Sequence, residues 1–492
     1  MTTKLSAASL GAIASSAAVP AYKQANLSRG IVHFGVGNFH RSHQAVYLDA
    51  LFNSGEGHDW AIVGASVMAG DKEIRERLRA QDYLTTVVEQ DAGKSEARVT
   101  AAMIDYIEPG DTKIIIARLA DPAIRIVSMT ITEGGYFINP ASGTFDPAYP
   151  AIAADAAAPD KPKTVFGLIV EALKRRRAAG IPAFTVMSCD NLPHNGVIAK
   201  NAVVGLAALS DRDLAGWIKD NVAFPNGMVD RITPATGERE RQILARDFGI
   251  EDTWPVFCEG FKQWVLEDNF PAGRPQLEKV GVQFVPDVAP YENMKIRILN
   301  GGHAVIAYPA GLMDIHFVHE AMENPLVRGF LAKIEREEII PVVPPVPDTD
   351  LGDYYKLIET RFANPKIGDT VRRLCLDGTN RQPKFIIPSI RDRLEKGLGI
   401  SGLALESALW CRYCFGTTDS GAEIAPNDPN WDRLTERARE AKADPLNWLA
   451  MDDIYGDIGL SEEFRKAFAG WLSALWASGT QSVLKAYLEG RP

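Results

Sequence analysis

The chain has 492 residues, more than one core usually serves, and its 46% hydrophobic and 24% charged residues are ordinary for a folded, water-soluble protein. A formal charge of −10 argues against general affinity for nucleic acid or acidic membranes and directs attention to a small-molecule partner. Five cysteines, an odd number spread from Cys189 to Cys414, do not form a disulfide framework and fit a reducing compartment.

The N-terminal stretch MTTKLSAASLGAIASSAAVPAY carries an early lysine and small residues that imitate a cleavage site. Its middle is too rich in Ser and too poor in Leu, Val and Phe for an export signal. No run approaches the ~18 apolar residues needed to span a bilayer, so a cytoplasmic location is expected. Next, GIVHFGVGNFHRSHQAVYLDALFNSGEG reads as strand, glycine turn and helix, the opening of a nucleotide-binding α/β unit. Strand-like runs recur at WAIVGASV, IRIVSMTI, PAFTVMSC and VGVQFVP, with helical patterns such as TVFGLIVEALKRRRAAG between them. This alternation predicts an α/β, Rossmann-like doubly wound domain over residues 1–290. From 291 to 492 the strands thin out, and LESALWCRYCFG and SEEFRKAFAGWLSALWASGTQSVLKAYLEG predict a mainly α-helical domain. Its proline-rich stretch 339–355 reads as an extended connector.

Several constellations carry chemistry. Gly35 and Gly37 follow a strand and precede a helix, where glycines let the backbone approach a pyrophosphate, although position 40 is His in place of the usual third glycine. Asp71, beyond the next strand, stands where a carboxylate takes the ribose hydroxyls of NAD and repels a 2′-phosphate. Taken alone, these features fit a dinucleotide site and an ordinary tight turn equally. Asn191 and His194 follow the strand PAFTVMSC at its carboxyl end, and Asp230 with Arg231 reads either as a buried ion pair or as substrate contacts. His40/His43 and His316/His319 are H-x-x-H pairs without the glutamate of H-E-x-x-H, so no metal is expected. Cys411 and Cys414 sit in an apolar helical pattern and read as core packing. In YENMKIRILNGGH, an α-helix at about 100° per residue places Glu292, Lys295, Asn300 and His303 within an arc of roughly 140°. An amine, a carboxamide and an imidazole then face one cleft, suiting proton abstraction beside an oxygen that gains charge. The competing reading is an exposed lysine on an amphipathic helix.

In order along the chain, GIVHFGVGNFHRSHQAVYLD, SMTITEGGY, FTVMSCDNLPHNG, FPNGMVDRITP, QWVLEDNF and KIRILNGGH resemble the polyol-specific long-chain dehydrogenase/reductase family. The resemblance runs from about residue 28 to the C-terminal helices. It implies metal-independent, NAD-dependent interconversion of a polyol and a ketose, with mannitol and fructose as the pair and arabinitol or sorbitol as further substrates. By position it implies Lys295 as catalytic base, Asn191 and Asn300 as donors to the reacting oxygen, His303 beside them, and Glu292 linking the lysine to solvent. It assigns Asp230, Arg373 and Arg381 to the outer hydroxyls, and Gly35, Gly37, Asn38, Phe39, Asp71, Thr132 and Glu133 to NAD. It implies a monomer whose partner is the polyol or ketose, with neither nucleic acid nor membrane.

Three departures stand out. Gly302 replaces a Ser of many relatives, Arg381 stands where Lys is expected, and Gly70 leaves Asp71 without an acidic neighbour. Hexuronate reductases are the alternative within the family, but they tend to carry charged residues where this chain has Leu192-Pro193-His194. A non-catalytic NAD-binding protein is the alternative outside it.

Overall fold

The computed structural model describes residues 2–139 and 143–490. The chain divides into two units, Met1–Ala289 and Pro290–Pro492. In the first, five strands, β1 (Arg29–Phe34), β2 (Ala61–Ala65), β3 (Met103–Tyr106), β4 (Ile126–Met129) and β5 (Thr185–Ser188), form one sheet. Their order is β3-β2-β1-β4-β5 and every neighbouring pair is parallel. The order reverses between β1 and β4, and such a switch point opens a crevice at the carboxyl ends of the strands.

The strands are apolar on both faces because both faces are covered. Val32, Phe34, Val63, Val127, Met129 and Val186 pack on one side with Ile115, Leu119 and the helix Val165–Ala178. Ile31, Ile62, Ile126 and Met187 pack on the other with Tyr47, Leu48 and Leu51.

Two three-stranded sheets escaped the sequence reading. Thr85–Asp91 pairs antiparallel with Lys94–Thr100 and parallel with Val256–Glu259, and Gln263–Glu267 lies between Gly227–Asp230 and Gln283–Val285. VGVQFVP therefore contributes an edge strand to a separate sheet rather than to the main one. Thr3–Lys4 pairs with Ile250–Glu251, and Leu5 and Ile13 are buried in a satellite core with Val88, Val99 and Leu244.

Among its described residues the second unit is helical, with isolated bridges but no strand. Its central helix, Ser401–Cys414, is buried from Gly402 onward and packs on Glu462–Leu488. The latter is kinked at Gly479 (φ 75°, ψ 167°) rather than continuous. Cys411 and Cys414 are buried thiols in the central helix, as packing predicts, and all five cysteines are unpaired. The proline-rich connector is shorter than expected. Ile340–Val342 forms a 3₁₀ turn, and the Asp350 carboxylate accepts the Asp353 N–H at 2.8 Å, starting a helix at Leu351. No helix of the described residues is long and apolar enough to cross a membrane.

Candidate active site

The glycine turn closes β1 under tight constraint. Gly35 has φ +88°, and a Cβ there would lie 2.0 Å from the Thr130 carbonyl oxygen, so no other residue fits. Gly37 caps α1 (Asn38–Ser42), which stops after five residues at His43 (φ −115°, ψ −87°) before α2 (Gln44–Asn53) begins. The single helix expected here is thus two. Side chains fix the break: His43 Nε2 bonds to the Gln263 carbonyl at 2.8 Å, Phe39 stacks on His43 at 4.9 Å, and Arg41 donates to the Trp254 carbonyl. Asn38 is anchored too, donating to the Pro234 carbonyl at 3.2 Å and accepting from Arg41 Nη2 at 2.8 Å.

His40 occupies the place of the third fingerprint glycine, whose usual role is close helix–strand packing. Its ring lies flat on His33 of β1, with centroids 3.6 Å apart and planes 13° apart. His33 in turn bonds to Ser128 Oγ at 2.8 Å and Thr130 Oγ1 at 3.0 Å. Burial pushes His33 and His43 down to about 3 and holds His40 well below its ordinary 6.5. Below pH 6.5 the unfolded chain takes up protons that these folded imidazoles refuse. Stability should therefore be complete above pH 6.5 and fall between 6.5 and about 3, each histidine contributing about 1.4 kcal/mol per pH unit. Asp49, raised to about 6 by burial, opposes part of that loss. Urea midpoints at pH 7.5 and 5.5 check the direction, and histidine ring-carbon NMR shifts should show no titration step for these three residues across that interval.

Asp71 ends a 3₁₀ turn just past β2, and one of its carboxylate oxygens accepts the Ser66 hydroxyl. This bond holds the acid at the carboxyl edge of the sheet, beyond the strand next to the one that carries the glycine turn. Thr132 and Glu133 follow β4 and are exposed, with Thr132 at φ 61°, ψ 167°, a region that side chains rarely occupy. Asn191 lies just past β5, also at the carboxyl edge. The Gly35–Phe39 turn, Asp71, Thr132–Glu133 and Asn191 thus all follow the carboxyl ends of β1, β2, β4 and β5, around the switch point.

Asp230 is buried at the end of its strand, close enough to His43 and Tyr47 for its charge to act on both. Arg231 belongs to the framework. It donates to Glu89 Oε1 at 2.6 Å, to the Glu259 carbonyl and to the Ser42 carbonyl, which accounts for its burial without a substrate role.

In the second unit the helix expected from YENMKIRILNGGH is present, but its centre is not α-helical. Ala289–Met294 is α, Lys295–Asn300 is a π turn, and Gly301–Leu312 is α again. A π turn closes its hydrogen bonds five residues on. Lys295 and Asn300, five apart, therefore lie about one turn apart on the same side, closer than the α period allows. Arg297 is tied elsewhere, donating to Ser389 Oγ at 2.9 Å and Asp392 Oδ2 at 2.7 Å. Glu292 and Lys295 are buried, at 7% and 6% exposure. Asn300 Oδ1 and His303 Nε2 are buried without a protein hydrogen-bond partner among the described residues. His303 stacks on Phe362 at 4.2 Å.

Burial first, then the charges of Arg373, Arg361, Arg381 and Lys295, hold His303 well below its ordinary pKa, so it is a neutral hydrogen-bonding ring. Those same charges show that Lys295, Arg373 and Arg381 gather around His303. Arg373 is braced by Asp369 (Nε to Oδ1, 2.5 Å), and Arg381 Nη1 donates to the Leu374 carbonyl at 2.9 Å. Arg361, buried in the helix Leu351–Phe362, joins this cluster and was missed from sequence, where it looks like any arginine of an amphipathic helix. Gly302 leaves space that Glu335 uses, since a Cβ there would lie 3.2 Å from Glu335 Oε1. Among the described residues no three His, Cys, Asp or Glu side chains converge as a metal site, and His316 and His319 each pack on Phe317.

Two family models together cover most of the chain: the mannitol dehydrogenase Rossmann domain over residues 29–279 and the mannitol dehydrogenase C-terminal domain over 287–476. The chain belongs to the mannitol dehydrogenase family. Among family members, the mannitol 2-dehydrogenase of Cereibacter sphaeroides is 61% identical over 95% of this chain and 98% of its own length. Mannitol dehydrogenase 2 of Saccharomyces cerevisiae is 39% identical over 99% and 98%. The solved Pseudomonas fluorescens mannitol 2-dehydrogenase, a ternary complex with NAD and D-mannitol, is 44% identical over 99% of this chain and 100% of its own, with a TM-score of 0.87. A substrate-free D-sorbitol dehydrogenase is 37% identical over 98% and 100%, with a TM-score of 0.91.

Proposed function

We propose that this chain is a metal-independent, NAD-dependent polyol dehydrogenase that interconverts D-mannitol and D-fructose at C2, acting as a cytoplasmic monomer. The observation that carries the reading is the grouping of Lys295, Asn300 and His303 in the π turn and the first turn of the α-helix that follows it, beside an arginine cluster. It lies in a chain that is 61% identical to a mannitol 2-dehydrogenase over 95% of its length.

The residues around the sheet switch point suit a dinucleotide. A Cβ at Gly37 would meet nothing nearer than 3.9 Å and one at Gly134 nothing within 4 Å, so the backbone is open to a ligand there. Asp71 is oriented by Ser66. NAD, when bound, supplies the hydride acceptor. Lys295 takes the proton of the C2 hydroxyl, a task suited to a buried amine. Asn191 and Asn300 donate carboxamide N–H groups to the oxygen as its charge grows. His303, neutral, shares a hydrogen bond with that oxygen or with the lysine, and Glu292 passes the released proton to water. Asp230, Arg373 and Arg381 hold the outer hydroxyls. Because Arg373 and Arg381 are braced by Asp369 and the Leu374 carbonyl, they present fixed forks rather than mobile charges.

The similarity to a D-sorbitol dehydrogenase over nearly the whole chain favours sorbitol as an additional substrate. A panel of D-mannitol, D-arabinitol, D-sorbitol and, in reverse, D-fructose and fructuronate, read by NADH absorbance with EDTA present, tests the proposal. Mannitol and fructose should lead, NAD should outperform NADP because of Asp71, and EDTA should change nothing. Fructuronate exceeding fructose would select hexuronate reduction, NAD binding without turnover would select a non-catalytic role, and chelator loss restored by zinc would overturn the lysine-centred chemistry.

A further inference from the structure

Asp190, which precedes Asn191, is buried at 8% exposure and bonded on both oxygens. Its Oδ1 accepts the Thr132 N–H at 2.9 Å. Its Oδ2 accepts the Ile131 N–H at 3.0 Å and the Tyr136 hydroxyl at 2.7 Å. Tyr136 is fully buried and also contacts Ser188 Oγ at 2.5 Å. The other side of Asp190 is fixed as firmly: its carbonyl accepts Asn195 Nδ2 at 3.0 Å, and Asn195 is clamped to Gly227 through both amide atoms, at 2.7 and 2.9 Å.

One carboxylate thus bridges two loops, that after β4, which carries Thr132 and Glu133, and that after β5, which carries Asn191. It also holds Thr132 in its rarely populated conformation (φ 61°, ψ 167°). The two N–H bonds to an anion oppose relaxation of that segment to an ordinary backbone conformation.

We infer that Asp190, with Tyr136, is a positioning residue that sets the cofactor loop Thr132–Glu133 and the substrate-facing Asn191 in register with each other. This rests on the roles proposed above for those three residues. Asparagine cannot replace the acid: each oxygen accepts one backbone N–H, so either amide orientation turns an NH₂ toward a main-chain donor. The free protein then spends most of its time with Thr132 relaxed, and apparent cofactor affinity falls by the fraction still competent.

The test is steady-state kinetics with NADH fluorescence titration on D190N, Y136F and, in parallel, N191A. D190N should raise KM for NAD and Kd for NADH roughly tenfold, since an unpaired buried N–H corresponds to about a tenfold shift in equilibrium, and kcat should also fall. Y136F keeps both backbone bonds and should raise KM for NAD by a smaller factor, roughly threefold by the same reasoning. A merely structural role would lower the unfolding temperature while leaving KM and kcat per folded molecule unchanged. If D190N does not fold, Y136F decides: a raised KM supports the inference and an unchanged KM overturns it. Impaired N191A beside unimpaired D190N and Y136F overturns the inference alone, whereas N191A with full turnover overturns the site reading and the inference with it.

Discussion

Lys295→Ala should lower kcat by about 10²–10⁴, the range that a positioned general base contributes, while leaving the Kd for NADH within a factor of about two. Lys295 is 6% exposed, in the first position of a π turn that carries Asn300 at its end. Methyl in place of the amine removes the only acceptor proposed for the alcohol proton and takes away nothing assigned to the nucleotide, whose proposed contacts lie in the first unit. The loss should appear equally in kcat and kcat/KM, and the acidic limb of the pH–rate profile for polyol oxidation should change shape. Turnover near that of the native chain would remove Lys295 from the mechanism.

Asn191→Ala and Asn300→Ala should each cost on the order of 10²–10³ in kcat, the usual effect of losing one transition-state donor, with smaller changes in KM. Each amide is set by its own backbone: Asn191 by the loop after β5, and Asn300 by the π turn. Both are proposed to donate to one oxygen, so the double variant should lose less than the product of the single losses. Pure KM effects in both single variants would show that the carboxamides bind substrate without following the charge. Those two measurements together separate proton removal from charge stabilisation.

The parts legible in the sequence were those set by local pattern. Buried strands of a sheet covered on both faces are short apolar runs, so Arg29–Phe34, Ala61–Ala65, Ile126–Met129 and Thr185–Ser188 stood out. Lys94–Thr100 did not, because its Lys, Glu and Arg face outward and break the apolar run. The stop of α1 at His43 was invisible, since it depends on Gln263 and Trp254, more than two hundred residues away. The π turn was equally hidden: the offset of five between Lys295 and Asn300 matches the spacing of its hydrogen bonds, but no residue type announces it. Arg361 and Asp190 were missed for a shared reason. One is an arginine on a helix and the other an aspartate in a turn, and only tertiary placement shows that the first lies near enough to His303 for its charge to act there and that the second anchors Thr132.

Hydride transfer from C2 of the polyol is the central claim, and isotopic labelling follows it directly. With NAD and D-mannitol deuterated at both C2 and C5, which the molecule's two-fold symmetry makes equivalent, proton NMR should show one deuterium at C4 of the reduced nicotinamide for each fructose formed, the fructose keeping the other at C5. Protium at C4 of the reduced nicotinamide, with the C2 deuterium released to water, would contradict the account.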